Sequence, residues 1–251
     1  FGRQMLEAGL QAIERIETER EQIRESLSQP DKYIVTFAAQ HSIGWRFFPS
    51  WLQDFENDFG PILSRLRADN LPNCFEDLAR GDADFVISYQ SGHPRESPWL
   101  AALQSAVIGR DRLIPVSKSS ARGDPIFSLD DDAAVSIPYL RFGDRAPIGE
   151  PVADLLRQRS MESRFNVVYE NSMVGALRIR VQDGSGIAWL PMSLVQPDLD
   201  SGAMAIAGNE SWFIELDIQL HRLEKYGNEF TRRIWSFLSQ RSPAPIHGRA
   251  G

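Results

Sequence analysis

Apolar positions along this chain change their period several times, and each change marks an element. Leu6, Ile13, Ile16, Ile23 and Leu27 fall on a heptad seam through residues 3–28, with Gly9 and Arg20 at its two other positions. Mostly Glu, Gln and Arg stand between them. The narrow stripe predicts a long helix suited to pairing with a second copy; an amphipathic helix packed on its own domain is the alternative. Pro30 and Asp31 end it.

From Tyr33 the pattern shortens. Tyr33–Ala39 is an apolar, partly β-branched run that suits a buried strand. Phe48, Trp51, Leu52, Phe55 and Phe59 recur at helical spacing, with Pro49 tolerable only near that helix's start. Strands are expected over Ile62–Arg67 and Phe85–Ser88, separated by a short helix, Pro72–Arg80, that Gly81 stops. Strand alternating with helix predicts a parallel sheet with right-handed crossovers.

The second half repeats this grammar. It predicts strands at Leu113–Ser117, Ala134–Ile137, Phe165–Tyr169, Gly186–Leu190 and Phe213–His221, and helices at Val152–Arg159, Met173–Val181 and Glu229–Ser239. The expected architecture is two Rossmann-like α/β lobes behind a linker helix. Lobe I takes residues 29–100 with 214–240, lobe II takes 101–213, residues 1–28 form the dimerising linker, and 241–251 are a loose tail.

Composition narrows the function. The 251 residues are 42% hydrophobic and 24% charged, which is ordinary globular composition. A net charge of −7 without a basic stripe disfavours nucleic-acid binding by these residues. One cysteine, Cys74, cannot form an internal disulfide. No apolar run approaches the ~18 residues of a membrane span.

Three segments together resemble LysR-type transcriptional regulators. Phe1-Gly2-Arg3 before a long helix is similar to the junction of their winged helix–turn–helix and linker. Leu78-Ala79-Arg80-Gly81 with Asp84-Phe85-Val86-Ile87 is similar to their leucine–glycine–aspartate strand entry. Asp183-Gly184-Ser185-Gly186-Ile187-Ala188-Trp189-Leu190-Pro191 is similar to their glycine-rich turn. His41-Ser42 and Gly186–Pro191 add a likeness to the hypochlorite-responsive branch. The resemblance implies two lobes of the periplasmic-binding-protein type II kind joined by two crossing segments. The family's DNA-binding domain is expected to lie outside this chain, which starts on Phe1 and reads as part of a longer protein.

Enzyme signatures are missing: no Gly-x-Ser-x-Gly elbow, no phosphate-cradling loop and no dinucleotide fingerprint follow the expected strands. His41, His93, His221 and His247 lack metal-ligand spacing, so neither metal nor cofactor is expected. A ligand cleft is better supported. In open α/β sheets ligands sit beyond the carboxyl ends of strands, beside helix N-termini. That rule selects Gln40, His41, Ser42, Asp69 and Asn70 from the first lobe, and Tyr139, Arg141, Phe142, Asn171, Ser172 and Met173 from the second. Ser42, Asn70 and Asn171 could equally cap helices, and Arg141 could clamp an anion or pair with Asp144 or another carboxylate. Met173 and Cys74 are the oxidisable candidates, though a buried thiol is more often core filler. Asp84 reads as a turn residue and Trp189 as packing.

The reading is therefore an effector-sensing, oligomerising domain that is not an enzyme. Its expected partners are further copies of itself (dimer or tetramer), a small effector, for which an anion is one candidate, or an oxidant, and, through the full-length protein in the cytoplasm, promoter DNA and RNA polymerase; no membrane is expected. A solute-binding protein of a transporter and an enzyme on the same two-lobed scaffold are the alternatives.

Overall fold

A computed structural model describes residues 33–91, 103–131, 136–143 and 146–241, with the backbone of 244–245. The heptad helix at 3–28, the segment around His93, Asp144 and most of the 241–251 tail lie outside the described residues. In chain order come β1 (Ile34–Gln40), a π-helical turn (Ile43–Phe47) that continues into α1 (Phe48–Phe59), β2 (Leu63–Asp69), α2 (Leu71–Arg80), β3 (Phe85–Gln90) and β4 (Leu103–Lys118). Next are β5 (Ile137–Phe142), α3 (Glu150–Gln158), β6 (Phe165–Asn171), α4 (Val174–Gln182), β7 (Ala188–Pro191) and α5 (Met192–Asp200). β8 (Met204–Ile206), β9 (Ile214–Leu223), α6 (Glu229–Ser239) and β10 (Ala244–Pro245) follow.

Lobe I is the sheet β2-β1-β3-β9-β4. β1 pairs in parallel with β2 and β3, as alternating strands and helices require, whereas β9 runs antiparallel to β3 and β4. Central β1 is buried almost throughout, while edge strand β2 alternates exposed and half-buried residues. The expected α1 stripe is the core: Phe37 stacks on Phe85 at 5.4 Å, Trp51 on Phe55 at 5.6 Å, and Phe55 on Phe59 at 4.9 Å. Asp84 is structural, as expected. Its carboxylate accepts from the Tyr33 hydroxyl at 2.5 Å and the Thr36 amide at 2.8 Å, tying the start of β1 to that of β3.

β4 belongs to both lobes. Leu103–Leu113 pair with β9, across a register shift at Val107/Gly109, and Leu113–Lys118 pair with β7 and β8. β5 and β6 form a parallel pair linked to the rest of lobe II through a bridge from Tyr139 to Ile187. Two glycines shape that link for different reasons. Gly184 turns with φ +80°, where side chains are strained, whereas a Cβ on Gly186 would stand 2.5 Å from the Pro138 carbonyl oxygen. Trp189 is packed inside lobe II, its indole N–H donating to the Trp212 carbonyl at 2.9 Å.

Several boundaries differ from expectation. The run Leu113–Ser117 is only the end of a sixteen-residue strand, because Arg110, Asp111 and Arg112 interrupt its apolar pattern. The strand expected at Ala134–Ile137 starts at Ile137 and ends at Phe142, and the one expected at Gly186–Leu190 is Ala188–Pro191. Helix α5 has no counterpart in the sequence reading because Pro197 interrupts its pattern. The carbonyl four residues before Pro197 is that of Ser193, which loses its helical donor; it accepts instead from Arg46 Nε at 3.3 Å, across the lobes.

Candidate functional site

The lobes enclose a groove of about 1250 Å³. Leu71, Pro72 and Phe75 from α2 and Ser88–Ser91 at the end of β3 form its lobe I side, Gln219 and His221 from β9 its floor, and Pro147, Ile148 and one face of α3 its lobe II side. Such a crevice, beyond the carboxyl ends of β2 and β3, is where open α/β sheets hold ligands.

His221 is the buried titratable group of the floor. Its Nε2 lies 2.8 Å from Ser88 Oγ and its Nδ1 lies 2.7 Å from Ser105 Oγ, with the Phe75 ring 5.3 Å away. Burial pushes its pKa down to about 4, so the ring is neutral at pH 7 and this part of the floor presents hydroxyls and an uncharged imidazole, while Glu150, Asp154, Arg157 and Glu215 also line the groove. Four scattered histidines gave no sign of this, because Ser88 and Ser105 lie 133 and 116 residues from His221.

Next to the groove a polar bridge joins the lobes. Asp111 of β4 is buried, and its carboxylate accepts four hydrogen bonds. Oδ1 takes the amides of Arg112 at 2.8 Å and Ser193 at 3.2 Å; Oδ2 takes the Ser193 hydroxyl at 2.6 Å and the Tyr89 hydroxyl at 3.2 Å. Burial raises the Asp111 pKa, and the Ser193 hydroxyl is the strongest influence holding it down. Burial also drives the Tyr89 phenol far above its usual range, with the Asp111 charge adding to the effect. Tyr89 therefore stays a donor. Asp111 fills the anion position at the N-terminus of α5 with the protein's own carboxylate.

The expected site residues fall into three places. Gln40 and Ser42 are buried beside the bridge: Gln40 Oε1 accepts from the Tyr89 amide at 3.0 Å, and the Ser42 hydroxyl stands against the Tyr89 phenol. His41 is exposed. Ser42 and Asn70 make no side-chain cap to their helices, so capping does not account for either. Asn70 opens α2, whose first residues line the groove. Tyr139 and Arg141 line a separate lobe II pocket, where Arg141 pairs with Glu170; Asp144 lies outside the described residues. Asn171, Ser172 and Met173 sit at the entry to α4, where Asn171 Oδ1 accepts from the Met173 amide at 2.8 Å and the Met173 side chain is 54% exposed. Cys74 is fully buried, and burial pushes its thiol up to about 12, so it carries no thiolate at neutral pH.

Among the described residues, no three His, Cys, Asp or Glu side chains gather as a metal site, and no helix is long and apolar enough to cross a membrane.

Two α/β lobes hinged on shared strands, with a groove at their junction, define the periplasmic-binding-protein-like class. Residues 28–242 match the LysR substrate binding domain model, and the chain belongs to that family. It is 24% identical over 206 residues to the HTH-type transcriptional regulator YjiE of Escherichia coli (strain K12), covering 82% of this chain and 64% of YjiE. Vibrio fischeri DarR, solved in complex with DNA, superposes with a TM-score of 0.68 at 27% identity over 92% of this chain and 76% of its own. The apo regulatory domain of HypT from Salmonella typhimurium shares the fold, with a TM-score of 0.67 and 21% identity over 82% of this chain and 95% of that one.

Proposed function

We propose that this chain is the effector-sensing and oligomerising part of a LysR-type transcriptional regulator, and that the effector occupies the groove between the lobes. The observation that carries this is the Asp111–Ser193 bridge at the groove's edge: a ligand that favours one setting of the lobes acts on a contact already built there. YjiE and DarR are regulators by name, and promoter DNA and RNA polymerase enter through the whole protein, at work in the cytoplasm. None of the expected effector residues lines the groove wall itself: Gln40 and Ser42 adjoin it through Tyr89, and Asn70 precedes Leu71. They join the proposed set from behind that wall, with His41 beside them and Asn171, Ser172 and Met173 as its lobe II part at the entry to α4. Hypochlorite-type oxidation of Met173 is an alternative input, converting an apolar thioether to a polar sulfoxide.

Exposed apolar side chains on edge strands β2 and β6 and on α4, namely Leu63, Val167, Val168 and Ile179, support side-by-side association of copies. Light scattering at micromolar concentration is expected to report at least a dimer.

Calorimetry with chloride, acetate and benzoate, on the parent, Ser42→Ala and Ser172→Ala, tests the effector site. Saturable binding that weakens in either variant supports it. Equal binding by all three proteins, or none, counts against this location.

A further inference from the structure

Lobe II holds a second cavity, of about 510 Å³, between α3 and the β5–β6 pair. Its size suits a small organic molecule, and its position separates it from the polar bridge. The wall is aromatic: Tyr139 and Phe165 meet edge-on with centroids 5.5 Å apart, and Phe142 closes the end under Gly149.

Two polar groups face this wall without occupation. The Tyr139 side chain is buried, and its hydroxyl makes no hydrogen bond with any described residue; the oxygen itself is not sealed off from solvent, so it stays open to a ligand's donor. Glu162 lines the same cavity from the turn after α3, and its carboxylate makes no ion pair or hydrogen bond among the described residues. Arg141, the cation of the rim, is already neutralised by Glu170. Aromatic side chains, a carboxylate without a described partner and a hydroxyl open to accept a hydrogen bond are the chemistry that recognises an organic ammonium group.

The geometry points to a second ligand site in lobe II, between Tyr139, Phe165 and Glu162, that takes a small amine carrying an apolar or aromatic body. The ammonium lies against Glu162 and the ring faces and donates to Tyr139 Oη, while the body fills the space beside Phe142, Leu156 and Val167. Glu162 disfavours an anion of the same shape. The site stands apart from the effector groove, so either can hold without the other.

Calorimetry with phenethylamine as the probe, and phenylacetate as the anion of matching shape, tests the assignment. The parent is expected to bind phenethylamine saturably at 1:1 and phenylacetate at least tenfold more weakly. Glu162→Gln should weaken phenethylamine at least tenfold and Tyr139→Phe severalfold. Both variants leave the fold intact, since neither group has a described partner to lose, and unchanged thermal unfolding checks this. Ser42→Ala, at the bridge, should bind phenethylamine like the parent. Absence of binding, equal or tighter binding of phenylacetate, or indifference to both lobe II substitutions would each overturn the site. Loss of binding in Ser42→Ala would move the amine into the groove.

Discussion

Asp111 and Ser193 lie 82 residues apart, yet the Ser193 hydroxyl donates to the Asp111 carboxylate at 2.6 Å and its amide donates to the same group at 3.2 Å. Among the described residues no cation pairs with this buried carboxylate, so it depends on such donors, and both of these reach it from the other lobe.

Ser193→Ala removes one donor and keeps the backbone one. A hydrogen bond to a charged group contributes about 1.5–3 kcal/mol, so the variant should unfold at lower denaturant by that order. Its faster hydrogen exchange should concentrate in the first turn of α5 rather than spread over lobe II. Uniform protection would deny the bridge its local role.

Acidification should act through His221. Its folded pKa, about 4, lies below the unfolded value of 6.5. Between those limits the unfolded chain binds a proton that the folded one refuses, so stability is lost as pH falls from 6.5 toward 4 and is flat in this residue above 6.5. The full effect is about 3 kcal/mol at ~1.36 kcal/mol per pH unit. Asp111 acts oppositely, because its raised pKa lets the folded state take up its proton first. Denaturation curves at pH 7 and pH 4.5 for the parent and His221→Gln isolate the histidine: the variant should lose markedly less stability on acidification.

Much of this fold is legible in the chain. The α1 stripe and the α6 bounds emerge from spacing alone, and Asn228 caps α6 by accepting from the Thr231 amide at 2.9 Å. Gly184 and Gly186 mark a tight turn in the sequence, although only contact with Pro138 shows why Gly186 in particular must stay small. The bridge and the Ser88–His221–Ser105 floor are not legible, because each joins side chains far apart in the chain. Strand-end reasoning assigned Gln40, Ser42, Tyr139 and Arg141 to one interlobe cleft, whereas Gln40 and Ser42 stand beside the bridge and Tyr139 and Arg141 line the lobe II pocket. It treats every carboxyl strand end as facing one cleft, whereas α3 stands between the groove and the lobe II pocket.

The two roles of glycine separate cleanly in substitution. Gly186→Ala forces a Cβ against backbone at 2.5 Å and should cost about 1–3 kcal/mol or more. Gly175→Ala, in α4 with nothing within 4 Å of the added carbon, should stabilise by roughly 0.4–1 kcal/mol. Thermal unfolding of the pair should give shifts of opposite sign.

Oxidation should follow exposure. Substoichiometric hypochlorite is expected to convert Met173 to its sulfoxide before Met204, which is 2% exposed, and to leave Cys74 unmodified. Peptide mass spectrometry reads the order directly. Early modification of Cys74 would mean that the core around α2 opens.

We propose that the Asp111 bridge fixes how the two lobes sit, so that an effector in the groove can reset them. Spin labels at Asp54→Cys on α1 and Asp200→Cys at the end of α5 report that setting by electron–electron double resonance, and buried Cys74 should not take the label. The parent should give one narrow distance distribution, and Asp111→Ala should broaden or displace it. Superimposable distributions in the two proteins would contradict the account.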